Sequence, residues 1–146
     1  MRILQTRDTM SDIYLAAVKI RNQVFVKEQN VPLSIEIDGN EAYAIHFVLY
    51  DDKKIPLATV RLLPIDEDQV KVQRMAVLKE YRGQGLGKIL LNAAADFAKE
   101  HDFKEMTLGA QWQAQNFYQQ MGFKTAGEPF EEAGMKHITM TKQLVN

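Results

Sequence analysis

The sequence predicts a single α/β domain over residues 1–146: a mixed, mostly antiparallel sheet flanked by helices. Three observations lead there. Short β-rich stretches alternate with stretches of helical periodicity. The middle of the chain reads as an antiparallel meander broken by Asp- and Pro-containing turns. A glycine-rich turn inside "EYRGQGLGKILL" (80–91) then joins a strand to the start of the best helix in the chain.

Taken in order, 3–6 is a short strand. Asp8 and Thr9 are positioned to cap a helix from about Met10 to Lys27, with Ile13, Ala17, Ile20 and Val24 as its apolar stripe. "EQNVPLSIEIDGNEA" reads as a polar loop, with Pro32 and Asp38-Gly39 as turn signals. Strands follow at 44–50, 55–64 and 69–78, the second bracketed by Pro56 and Pro64, where proline is tolerated. After the glycines, Leu86, Ile89, Leu90, Ala93, Ala94 and Phe97 mark one face of a helix, and Lys99 and His101 suit the negative end of its dipole. A strand at 105–110 and a short helix at 113–121, stopped by Gly122, precede two closing strands in "FKTA" and "KHITMTKQL". The order is β-α-β-β-β-α-β-α-β-β.

Composition narrows the function classes. Hydrophobic residues make up 46% and charged residues 25%, and the net charge of -1 carries no basic signature for nucleic acid. No apolar run approaches the roughly 18 residues that span a membrane. "MRILQTRDTM" has no apolar core of a signal peptide, so a cytoplasmic protein is expected. There is no cysteine, which excludes disulfides, thiolate metal sites and a cysteine nucleophile. Three scattered histidines without metal-ligand spacing lead us to expect no metal.

The turn carries the chemistry. The first N–H groups of a helix lack partners, and the dipole adds about half a positive charge there. Glycines let the preceding backbone curl its own N–H groups inward and let a phosphate approach closely. Gly83, Gly85 and Gly87 do not fit G-x-G-x-x-G, because Lys88 stands where its third glycine would be. They do not fit the P-loop pattern either, which needs a glycine at Arg82 and Ser or Thr at Ile89. They fit R-x-x-G-x-G, Arg82 to Gly87; the competing reading is a tight strand-to-helix turn with no ligand.

About thirty residues on stands "NFYQQMGF", Asn116 to Phe123. Together the two segments resemble the GNAT acetyltransferase superfamily, which uses acetyl-coenzyme A. The predicted element order is similar across nearly the whole chain, and "KIRNQVF" and "EAGMKHITMTKQL" look like the glyphosate N-acetyltransferase-like branch. The resemblance implies a sheet splayed between its fourth and fifth strands. The coenzyme's pyrophosphate would lie on the backbone of Arg82, Gly83, Gln84, Gly85, Leu86, Gly87 and Lys88. Its pantetheine arm would pair with Met75, Ala76 and Val77, facing a slot toward 107–110, and Asn116 would contact it.

Acetyl transfer needs a neutral amine, a carbonyl held beside it, a donor for the oxyanion and a proton for the leaving thiolate. Without cysteine, direct attack in a ternary complex is expected. Backbone N–H groups near Ala76 or Val77 are the oxyanion candidates. Tyr118, matching the family's tyrosine, is the candidate proton donor, against a plain packing role; a phenol is protonated at neutral pH. His137 is the candidate base, matching a histidine of the related branch, against an ordinary strand histidine. His46, between Ile45 and Phe47, reads as structural. Arg21 and Arg74 interrupt apolar patterns and are candidates for holding an acidic acceptor; the alternative is that they pair with Glu28 or Glu36. The branch has a third arginine where this chain has Gln111, which also counts as a candidate acceptor residue. Glu28, Glu36, Asp38 and Glu41 read as an acidic solvated loop, or as a lure for an amine. The expected partner is a small-molecule or peptide amine, the expected assembly a monomer or homodimer. The competing functions are an acyl-CoA-binding sensor without turnover and, from another class, a nucleotide-binding or interaction module.

Overall fold

The computed structural model describes residues 1–144. The elements are β1 (Arg2–Thr6), α1 (Asp12–Arg21), α2 (Leu33–Glu36), β2 (Ile45–Tyr50), β3 (Pro56–Pro64), β4 (Gln69–Val77), α3 (Leu86–Glu100), β5 (Glu105–Gln111), α4 (Gln115–Gln120), β6 (Lys124–Glu132) and β7 (Met135–Gln143). The strands form one seven-stranded sheet in the order β1-β2-β3-β4-β5-β7-β6. The strand pairs β1–β2, β2–β3, β5–β7 and β6–β7 are antiparallel, whereas β4 runs parallel to β5. That parallel register covers Gln69–Lys71 against Glu105–Thr107 and ends there, between the two strands where the resemblance implies a splay. The mixed α/β class is therefore the observed one.

The chain forms two compact units, residues 1–63 with 73–94, and residues 64–72 with 95 onward. In the first, Ser11 caps α1 by accepting the N–H of Tyr14 at 3.2 Å, two residues beyond Thr9 and three beyond Asp8, the expected caps. The helix continues into a π-helical stretch, Asn22–Glu28, so the helical span is close to the expected one. Ala16, Ala17, Ile20 and Val24 bury one stripe with Val48 and Ala76, and Phe25, Tyr50 and Leu78 pack around them. Burial of such side chains is the main favourable term in holding helix to sheet.

Two expectations need correction. The apolar face of α3 is centred on Leu86, Leu90, Leu91, Ala94 and Ala98, whereas Ile89 is 40% exposed. Three- and four-residue spacing alone left the face free to rotate by one residue, and packing chose the i, i+4 row. The stretch 28–42 is not a solvated loop either. It contains α2, and Glu36 and Glu41 are buried among arginines. In the second unit the closing hairpin is longer than predicted: β6 runs nine residues, every one of them exposed, and turns at Ala133-Gly134 into β7.

Candidate active site

In the first unit, β4 breaks its regular conformation at Arg74, whose φ is +55°. Positive φ is unfavourable for a residue with a Cβ and persists only where the surroundings hold it. Here they do: the Arg74 guanidinium donates to the carbonyls of Ile35 and Glu36 and lies 2.6 Å from Glu36 Oε2 and 3.3 Å from Asp38 Oδ2. The irregularity immediately precedes Met75, Ala76 and Val77, the residues expected to pair with a pantetheine arm. Ala76 is buried, and Met75 and Val77 are half-buried.

The glycine turn follows a 3-10 turn at Lys79–Tyr81. Gly83 and Gly85 have φ of +81° and +77°, and a Cβ at either would meet nothing within 4 Å. These glycines are therefore required by backbone conformation and not by crowding. Their alternation with Arg82 and Gln84 curls the chain into the first turn of α3, where the N–H of Ile89 reaches the carbonyl of Gly85 at 3.2 Å. Gly83, Gln84, Gly85 and Lys88 are exposed, Gly87 is half-buried, and Leu86 is buried, anchoring the helix start. The Arg82 side chain bonds the carbonyl of Val77 at 2.9 Å and both oxygens of Glu28 at 2.6 and 2.8 Å. It fastens the turn to the end of β4.

Arg21 is 1% exposed. Its Nε donates to Glu36 Oε1 at 2.7 Å, and its two terminal nitrogens donate to Glu41 at 2.8 and 3.0 Å. Arg61, which the sequence reading passed over inside the apolar run "TVRLL", donates to Asp38, Glu41 and Gln73. Three guanidinium groups thus meet three carboxylates, so Arg21 and Arg74 take the alternative reading, pairing with Glu36, and are spoken for within the chain. Burial pushes the Glu41 carboxyl up, but the hydrogen bonds from Arg21, Asp38 N–H and Tyr14 outweigh it and hold it below the usual carboxylate range. The hydrogen bond from Arg61 holds Asp38 well below that range. Burial first, and then the hydrogen bond to Glu41, pushes the Tyr14 phenol up to about 12. His46 is fully buried, bonds the Glu41 carbonyl at 2.8 Å through Nε2, and has its pKa lowered by burial, which fits the structural role expected of it.

In the second unit, Asn116 is exposed on α4 and Tyr118 is half-buried two residues on, its ring edge-on to Phe117 and Phe123. Burial raises the Tyr118 pKa, so the phenol keeps its proton. On β7, His137 is 6% exposed and stands directly across from Gln111 on β5. Its Nδ1 lies 2.9 Å from the carbonyl of Met135. A carbonyl only accepts, so Nδ1 carries the ring proton and Nε2 presents a lone pair. The ring stacks on Phe130 at 5.7 Å between centroids. Among the described residues, no group of three or more His, Asp or Glu is arranged to hold a metal ion, and no helix is long and apolar enough to cross a membrane.

Comparison with known proteins bears on this arrangement. Residues 12–144 match the family model described as "Acetyltransferase (GNAT) domain", a match that runs through both units. A Bacillus subtilis protein described as an uncharacterized N-acetyltransferase, YjcF, is 38% identical over 127 residues, covering 86% of this chain and 89% of its own. The protein ElaA of Escherichia coli is 33% identical over 142 residues, covering 94% of this chain and 91% of its own. The ElaA crystal structure superposes with a TM-score of 0.85 over 97% of this chain and 99% of its own, at 30% identity. An acyl-CoA N-acyltransferase from Pseudomonas aeruginosa gives 0.84 at 28% identity, over the same 97% and 99%.

Proposed function

The chain belongs to the GNAT acetyltransferase family, and on that premise we propose that it is an acetyl-CoA-dependent N-acetyltransferase acting on the amine of a small molecule or peptide. The observation that carries this reading is the turn: Gly83 and Gly85 at positive φ, exposed, leading into the N-terminus of α3 directly after a β4 broken at Arg74. That arrangement suits a pyrophosphate. We read 1–146 as one acetyltransferase domain, cytoplasmic, within the glyphosate N-acetyltransferase-like branch that the tail and "KIRNQVF" suggest.

In this reading the backbone of Arg82–Lys88 holds the pyrophosphate, Met75–Val77 pair with the pantetheine arm, and Asn116 contacts that arm. The thioester is the acyl donor. The lone pair of His137 Nε2 takes a proton from the acceptor ammonium; the freed amine attacks the thioester carbonyl. The C–N bond forms as the C–S bond breaks, with backbone N–H near Ala76 or Val77 stabilising the oxyanion. The leaving thiolate takes the Tyr118 proton, and the second proton shed by the new amide nitrogen returns to the phenolate, directly or through solvent. In this reading Arg21 and Arg74 hold the α2 segment and the irregular β4 in place, their guanidinium groups engaged by Glu36, Glu41 and Asp38.

The test is paired. Calorimetric titration with acetyl-CoA, against ATP and NAD, asks for the coenzyme. Thiol release from acetyl-CoA with a panel of primary amines asks for turnover. Binding of acetyl-CoA together with amine-dependent thiol release supports the enzyme. Binding without release by any amine favours an acyl-CoA sensor, and binding of ATP alone removes the reading.

A further inference from the structure

The β6–β7 hairpin gathers a set of groups on one face. Phe130 stands across from His137, and Glu132 across from Met135, and cross-strand partners share a face. On β5, Gln111 pairs with His137, and Gly109 lies two residues back on the same side. Gly109 leaves that position bare: a Cβ there would stand 3.2 Å from Phe130 Cζ and 3.9 Å from Glu132 Oε2. The aromatic edge and the carboxylate therefore reach over naked backbone.

Glu132 Oε2 lies 3.9 Å from His137 Nε2. That is too far for a hydrogen bond. In the neutral ring, whose proton on Nδ1 goes to the Met135 carbonyl, two acceptors, a carboxylate oxygen and an imidazole lone pair, face each other. Such a pair is completed by a group with two N–H donors and a positive charge. A nitrogen about 2.8 Å from both atoms would subtend an angle of roughly 90° across the 3.9 Å gap, close to the tetrahedral spread of an ammonium. Lys136 does not fill this role: on the alternate side of β7, its ammonium sits 3.8 Å over the Trp112 ring. Phe130, 37% exposed, adds an apolar wall.

The geometry points to Glu132 as a specificity-determining residue: it binds the acceptor amine as an ammonium beside His137 and rejects an anionic group in its place. This rests on the transferase reading above and names its substrate class. The neighbouring charge agrees, because Gln111, directly across from His137, carries none. In the reaction, the ammonium held by Glu132 passes one proton to His137 Nε2, which becomes an imidazolium facing the Glu132 carboxylate. The neutral amine forms the C–N bond as the C–S bond breaks; the thiolate leaves with the Tyr118 proton, and the second amine proton passes to the phenolate or solvent.

The test uses hexylamine and hexanoate, equal in chain length and opposite in charge, with wild type and Glu132→Gln. The Glu132 side chain is 64% exposed, so the variant should fold with an unchanged melting temperature. Amide shifts across 130–137 should saturate with hexylamine and not with hexanoate, and Glu132→Gln should weaken hexylamine binding tenfold or more. In thiol release the same variant should raise KM for hexylamine tenfold or more, with a smaller change in kcat. Hexanoate binding as tightly as hexylamine, no saturable hexylamine binding to wild type, or equal hexylamine affinity in the variant would each overturn the assignment. Hexylamine binding that depends on Glu132, without thiol release by it or by any amine of the panel, would uphold the ammonium site and sink the transferase reading. Thiol release with equal KM in both proteins would do the reverse.

Discussion

Glu41→Gln probes how the arginine network is held together. The Glu41 carboxylate accepts from Arg21 at 2.8 and 3.0 Å, Arg61 at 2.9 Å, Tyr14 at 2.9 Å and the Asp38 N–H at 3.1 Å. It is 8% exposed. Glutamine keeps the shape, turns one acceptor into a donor aimed at guanidinium donors, and leaves three positive groups, two of them buried, against two carboxylates. Removing one partner of a buried pair costs about 3–5 kcal/mol. At about 2.1 cal/mol/K of unfolding entropy per residue, each kcal/mol corresponds to roughly 3 °C for a chain of 146 residues, so the melting temperature should drop by roughly 10–15 °C. The pH dependence gives a second reading. Glu41 and Asp38 both have depressed pKa values in the folded state. Their contribution is therefore fully present above the ordinary carboxylate range of about 4 and drains away as pH falls through the folded values. Urea unfolding followed by circular dichroism at pH 7, 4 and 3 should show wild type weakening mainly between the last two and Glu41→Gln weakening less steeply there. A loss under about 1 kcal/mol at pH 7, or parallel slopes, would refute the view that this carboxylate neutralises the arginines.

Saturation with acetyl-CoA at about 100 times its Kd should add roughly 2.7 kcal/mol, near 9 °C by the same entropy, while ATP and NAD add nothing comparable. Gly85→Ala forces a Cβ onto a φ of +77° and should cost about 1–2 kcal/mol in the unliganded protein and weaken acetyl-CoA binding; unchanged affinity in titration calorimetry would detach the turn from the coenzyme. His137→Ala should cut kcat by about 100-fold or more with acetyl-CoA affinity unchanged, and undiminished turnover would remove it as the base. Tyr118→Phe should lower kcat, and because burial raises the pKa of this phenol, wild type should lose no activity through its ionisation below its ordinary value of about 10; an alkaline limb below that pH that vanishes in the variant would contradict this.

The parts of this protein written into short stretches of chain were legible without a structure. Gly83 and Gly85 alternate with residues that bear side chains, and just beyond them a helical period begins, so turn and helix start are both encoded within a few residues. The alternation of strands and helices along the chain followed from the same local signals. The partnerships were not legible, because they join distant residues. An arginine that interrupts an apolar run announces only that its charge is turned inward. Whether it meets a ligand or a carboxylate depends on Glu36 and Glu41 arriving from 15 and 20 residues away, and on Asp38 and Glu36 reaching Arg74 from 36 and 38. The pairing of Glu132 with His137 needed the hairpin register, which shifts between Ala126 and Phe130. A slip of one residue there would turn Glu132 to the other face, so only the folded sheet could decide which side chain stands beside the histidine.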